Sequence, residues 1–214
     1  MMSQEIRVWD PLIRVFHWGL VLAFSIGYLT GDEENNLHIY SGYAVLGLII
    51  FRVLWGLIGA RYARFSDFVY TPKIVIQYLK DLLAKNPRHY VGHNPAAGWM
   101  VIVMLLTLFV VTLSGLKLYA IEEGAGPLAS GPTALTIVGS AYADDNEGDK
   151  YSKNGNRRDE DGEKDEFWEE VHEVSSNFMV LLVLLHIAGV IISSRLHDEH
   201  LIKSMFTGRK ISKT

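Results

Sequence analysis

The chain has 214 residues, no cysteine, a composition 49% hydrophobic and 21% charged, and a formal net charge of −4. A mean hydropathy of +0.15 with 5 Trp, 10 Tyr and 9 Phe argues against an ordinary soluble domain and suits a membrane protein with aromatic interfaces. Without cysteine there are no disulfides, iron–sulfur clusters, thiolate zinc sites or covalently attached haem, and the acidic balance offers no footprint for nucleic acid.

Four stretches reach the ~18–20 apolar residues needed to cross a hydrocarbon core. Residues 11–29 are interrupted only by Arg14 and His17. Residues 37–60 begin beside His38 and carry Arg52. Between residues 61 and 96, Thr71-Pro72 predicts an N-cap and first helical position. Val75, Tyr78, Leu79, Leu82 and Leu83 then form a helical stripe opposite Lys73, Gln77, Lys80 and Asp81, as in a helix lying on the membrane or beneath a bundle. Residues 97–116 contain no ionisable side chain, and residues 174–194 are interrupted only by His186. The long loop 121–173 between these last spans turns strongly acidic. Its section 144–170 holds twelve acids against five Lys/Arg, and that composition predicts a mobile segment. The expected fold class is an all-α, four-helix transmembrane bundle forming a single domain over residues 1–214.

Loop charge sets the orientation. Residues 1–14, 61–96 and 195–214 share one side and hold thirteen Lys/Arg, whereas residues 30–36 and 121–173 hold five. The positive-inside rule therefore places both termini in the cytoplasm. Glu5 and Asp10 beside Arg7, with no small-residue cleavage site before Gly31, argue against a cleaved signal peptide.

Four of the eight histidines lie in or at the ends of the spans: His17, His38, His172 and His186. Ionisable groups inside membrane helices are costly and usually have a functional partner. With the chain oriented as above, His38 and His172 share the outer level and His17 and His186 the inner one. His172 and His186 are fourteen residues apart, ~21 Å along a helix and within about 40° of one face. Two imidazole pairs stacked across a bundle are what two b-type haems require, the outer at His38/His172 and the inner at His17/His186. Gly42 and Gly189, each within a turn of a histidine, would let a porphyrin approach the backbone, and Arg14 and Arg52 in the inner half would suit a haem propionate. Each feature has a plainer reading: core histidines, packing glycines and arginines reaching to headgroups. His89, His93, His197 and His200 read as solvated loop or tail residues.

Several segments resemble one family. They are Arg14-Val15-Phe16-His17-Trp18, His38-Ile39-Tyr40-Ser41-Gly42, Phe51-Arg52-Val53-Leu54-Trp55-Gly56, Gly92-His93-Asn94-Pro95, and Trp168 to Glu173 followed by His186-Ile187-Ala188-Gly189. Together they are similar to the bacterial cytochrome b561 and nickel-hydrogenase b-type cytochromes. The resemblance implies two non-covalent haems on the four histidines already singled out. It further implies electron transfer, in the bacterial inner membrane, between the quinone pool and a redox partner protein. The acidic loop reads either as a solvated linker or as an electrostatic collector for a cationic redox protein such as a soluble c-type cytochrome. The alternative is a cytochrome b anchor subunit bound to the catalytic subunit of a hydrogenase or another dehydrogenase or reductase. A rival of another class is a transporter whose histidines bind a metal ion. A haem spectrum separates that rival from the other two.

Overall fold

Asp10 starts the first long helix. Its side chain accepts a hydrogen bond from the Ile13 amide at 3.0 Å, and Pro11, which has no amide hydrogen to satisfy, takes the first helical position. The computed structural model describes residues 4–31, 36–129 and 154–212. Strand β1 (Gln4–Arg7) leads into α1 (Pro11–Leu29), which ends where Thr30 turns back on the Ile26 carbonyl. Helix α2 (Asn36–Ile58) is followed by two short 3-10 turns, then α3 (Pro72–Leu83) and α4 (Pro95–Glu122). Asn94 caps α4, its side-chain oxygen accepting from the Ala97 amide at 2.8 Å. Helix α5 (Asn154–His197), α6 (Leu201–Thr207) and strand β2 (Arg209–Ser212) complete the chain.

The expected all-α class and four spans are present. Four helices have the length and apolarity to cross a membrane: Pro11–Leu29, Asn36–Ile58, Pro95–Glu122 and Asp165–His197. Only 17–28% of the most apolar window of each is buried within the protein. Exposed Leu29, Ile58, Val15 and Leu57 therefore face outward and call for lipid rather than water.

Three expectations need correction. The last helix begins at Asn154, so residues 154–173 belong to a helix and not to a mobile loop. A span already provides the costly nucleus, and propagation through Glu-, Lys- and Arg-rich sequence adds one hydrogen bond per residue. The preceding acidic residues 144–153 lie outside the described residues. Thr71 stands at the N-cap of α3 but its side chain makes no capping bond. The α3 stripe also splits: Tyr78 is buried whereas Leu79 and Leu83 are exposed, leaving an apolar edge suited to the membrane surface.

The chain divides into two compact units, residues 1–109 with 178–214, and residues 110–177. In the first, Ala23, Val45, Ile49, Leu108, Met179 and Leu182 from four helices form the buried core. The ends of the chain meet in this unit. Strands β1 and β2 pair antiparallel, Gln4 opposite Ser212 and Arg7 opposite Arg209, a ribbon absent from the sequence expectation. Gly208 makes the corner. It adopts φ +79°, donates to the Ser204 carbonyl at 2.8 Å and accepts from the amides of Val8 and Trp9. Only glycine takes that conformation freely, and a Cβ there would lie 2.6 Å from the Trp9 carbonyl oxygen.

Candidate functional site

His17 comes from the first turns of α1 and His186 from the last third of α5. Their rings lie with centroids 6.5 Å apart and planes tilted by 51°. Trp18 meets His17 edge-on at 5.1 Å, and His17 Nδ1 is buried without a hydrogen-bond partner among the described residues. A metal bonded to one nitrogen of each ring at ~2 Å would set centroids about 6 Å apart once the ring radii are added. The pair thus has the spacing and the donor set for one metal centre with two axial imidazoles. Among the described residues no group of three or more His, Cys, Asp or Glu gathers as a metal cage.

His38 and His172 lie in different units and each is oriented locally. His38 Nδ1 donates to the Gly27 carbonyl of α1 at 3.0 Å. His172 Nδ1 meets the Val111 carbonyl of α4 at 3.0 Å and the Ser114 hydroxyl at 3.1 Å. Gly115 permits that approach, because a Cβ there would sit 3.0 Å from the His172 ring. A main-chain carbonyl on Nδ1 fixes the tautomer with its lone pair on Nε2, the arrangement that metal-ligating histidines adopt. The glycines behave unequally. A Cβ built on Gly27 would collide with Ser41, so Gly27 serves helix packing. A Cβ on Gly42 or Gly189 meets nothing within 4 Å among the described residues, and both glycines are exposed.

The two arginines also part company. Arg52 is 3% exposed, donates to the Ala63 carbonyl at 3.0 Å and lies over the rings of Phe65 and Phe68 at 4.8 and 5.6 Å. Gly56 clears the space for Phe65, since a side chain there would run into that ring. Arg14 donates to the Phe206 carbonyl, and Trp18 stacks on Phe206 at 4.5 Å, so this side chain helps to hold the C-terminal helix against α1.

His93 is half-buried, with its Nδ1 out of solvent, rather than a solvated loop residue. Its ring lies 4.7 Å from Trp9 and 4.5 Å from Phe68, in electrostatic reach of Arg52, Lys210 and His186. Burial, reinforced by those three groups, pushes its pKa down to about 3, so the ring is neutral. The signal available in the sequence was the neighbouring Asn94-Pro95 cap, which pins the loop at the base of a span. His89 Nε2 is 2.6 Å from Glu199 and remains exposed on one side.

A family model described as prokaryotic cytochrome b561 matches residues 8–208. The chain belongs to that family. Membership makes it a multi-pass membrane protein of electron transport that carries haem b. It is 28% identical over 153 residues to a probable Ni/Fe-hydrogenase B-type cytochrome subunit of Rhizobium leguminosarum bv. viciae, covering 58% of this chain and 62% of that protein. A protein of the same description from Bradyrhizobium diazoefficiens is 29% identical over 154 residues, covering 56% and 60%. That of Rhodobacter capsulatus is 22% identical across 98% of this chain and 82% of its own length. The alignments to the Rhizobium and Bradyrhizobium proteins thus span about three-fifths of their length. No solved structure gives a significant match.

Proposed function

We propose that this family member is the haem-bearing membrane subunit of a hydrogenase-type complex, linking a catalytic subunit to the quinone pool of the bacterial inner membrane. The facing rings of His17 and His186 carry the reading, because a spacing of 6.5 Å suits two axial ligands of one iron. His17 and His186 hold the inner haem, with Gly189 giving the macrocycle room. His38 and His172 hold the outer haem with Gly42 beside them, an assignment resting on the depth arithmetic of the sequence and the local orientation of each ring. The haems supply one-electron transfer, and the protein supplies axial ligands, low dielectric and fixed spacing. Arg52 provides a buried cation in the inner half, and Arg14, held on Phe206, anchors the tail. Both termini lie in the cytoplasm, by the distribution of Lys and Arg.

The hydrogenase reading is preferred over exchange with a free c-type cytochrome because all three relatives are described as hydrogenase cytochrome subunits. Purification in mild detergent tests it. The expected result is a reduced-minus-oxidised spectrum of two b haems per chain, with a catalytic subunit retained. A chain that purifies alone yet reduces a c-type cytochrome rapidly would reverse the preference, and a chain without a Soret band would end the haem reading.

A further inference from the structure

We propose that His93 and Lys210 join Arg52 to form the pocket for the propionate groups of the inner haem. This rests on the reading of His17 and His186 as the axial ligands of that haem.

The observations converge on one place. His93 stands immediately before the Asn94 cap of α4, its ring enclosed by Trp9 at 4.7 Å and Phe68 at 4.5 Å. Its Nδ1 is buried and has no hydrogen-bond partner among the described residues. Buried polar atoms are almost always satisfied, so this one points to a partner that the described residues do not supply. Phe68 also carries the Arg52 guanidinium on its ring, so one aromatic side chain packs against both groups. Lys210 enters from β2, is 9% exposed, and lies with Arg52 and His186 in electrostatic reach of His93.

Lys210 pairs with Glu199 at 3.1 Å, and an ammonium has three donors, so it can serve a second acceptor as well. Arg52 directs its hydrogen bond to an uncharged carbonyl. The nearby acids are already engaged: Asp10 caps α1 and accepts from Trp55, and Glu199 binds His89 and Lys210. The His93 ring, the Arg52 guanidinium and the remaining donors of Lys210 therefore suit a carboxylate carried by a group that His186 would ligate. Haem b bears two such carboxylates on one edge. A neutral imidazole can donate one hydrogen bond to a propionate, while Lys210 and Arg52 supply the charge.

The test uses the haem-loaded protein in detergent. His93→Phe keeps a ring in the aromatic enclosure and removes the donor, His93→Asn keeps a donor, and Lys210→Gln removes a charge. The inner haem is identified as the one lost in His17→Ala. In His93→Phe its midpoint potential should fall while that of the outer haem stays put, because a propionate deprived of its donor keeps more negative charge near the iron. His93→Asn should recover part of the shift, and Lys210→Gln should move the midpoint the same way. With haem carrying 13C-labelled propionates, the carboxyl bands of the redox-difference infrared spectrum should shift in His93→Phe. Unchanged bands and midpoint with both haems bound would overturn the proposal and assign an internal water to Nδ1. If His93→Phe does not fold, the bands and midpoint of Lys210→Gln decide by the same criteria. A His17→Ala protein that retains both haems would instead defeat the axial-ligand reading itself.

Discussion

His17 and His186 face each other at 6.5 Å although α1 and α5 stand at opposite ends of the chain. Met179 and Leu182 of α5 pack with Ala23 of α1 in the same core, so the ring spacing is set by the packing of rigid helices. Side chains preorganised in this way would lose little freedom on binding a cofactor.

Removal of either member of a pair should release one haem and spare the other. His17→Ala and His186→Ala should each lower haem per protein by about half and leave one low-spin spectrum, since a haem without an axial partner is poorly held. His38→Ala and His172→Ala should remove the other haem. Pyridine haemochrome assay with redox titration checks the pairing, and a shared loss in His38→Ala and His186→Ala would disprove it.

Arg52→Leu should destabilise the protein and lower the inner midpoint potential. The substitution leaves the Ala63 carbonyl without its donor and removes the cation from the faces of Phe65 and Phe68. The cost should be about 1–3 kcal/mol for the buried unpaired acceptor. Arg52→Lys should fall between, because charge survives and the planar fork does not. Thermal unfolding in detergent and a redox titration measure the two effects.

Gly208→Ala should loosen the tie between the two ends of the chain. A left-handed φ of +79° and a Cβ close to the Trp9 carbonyl both oppose the new methyl group. An alanine forced into that region costs roughly 1–2 kcal/mol before any clash is counted. Faster hydrogen exchange at Val8 and Trp9, whose amides donate to the Gly208 carbonyl, would report the effect.

Acid should weaken the same region through Glu199. Burial raises its pKa, but the hydrogen bond from His89 and the charge and hydrogen bond of Lys210 prevail and hold it below the usual carboxylate range. A group with a depressed folded-state pKa stabilises above its unfolded value and loses that contribution as pH falls through the folded one. Protection of the tail against protease should therefore persist at neutral pH and decline only below the ordinary carboxylate range. In Glu199→Gln the acid dependence should largely disappear. A tail whose protection is independent of pH in the wild type would contradict this account.

The membrane class and the four spans were legible because each depends on neighbours in the chain, whereas the caps at Asp10 and Asn94 were not anticipated. Apolar length is read directly along the chain. The approach of His17 to His186 was also legible, since span direction and rise per residue set the two at one level. Only the tertiary structure decided the rest. His93 has the local sequence of a loop, and Trp9 and Phe68, both distant in the chain, enclose it. Arg14 meets the Phe206 carbonyl only because the tail folds back on α1. The β1–β2 ribbon joins residues near opposite ends of the chain, and neither strand has an apolar alternation long enough to announce itself. Local pattern reports which surface of a segment avoids water, whereas the partner of a buried polar group depends on contacts that exist only once distant segments have packed.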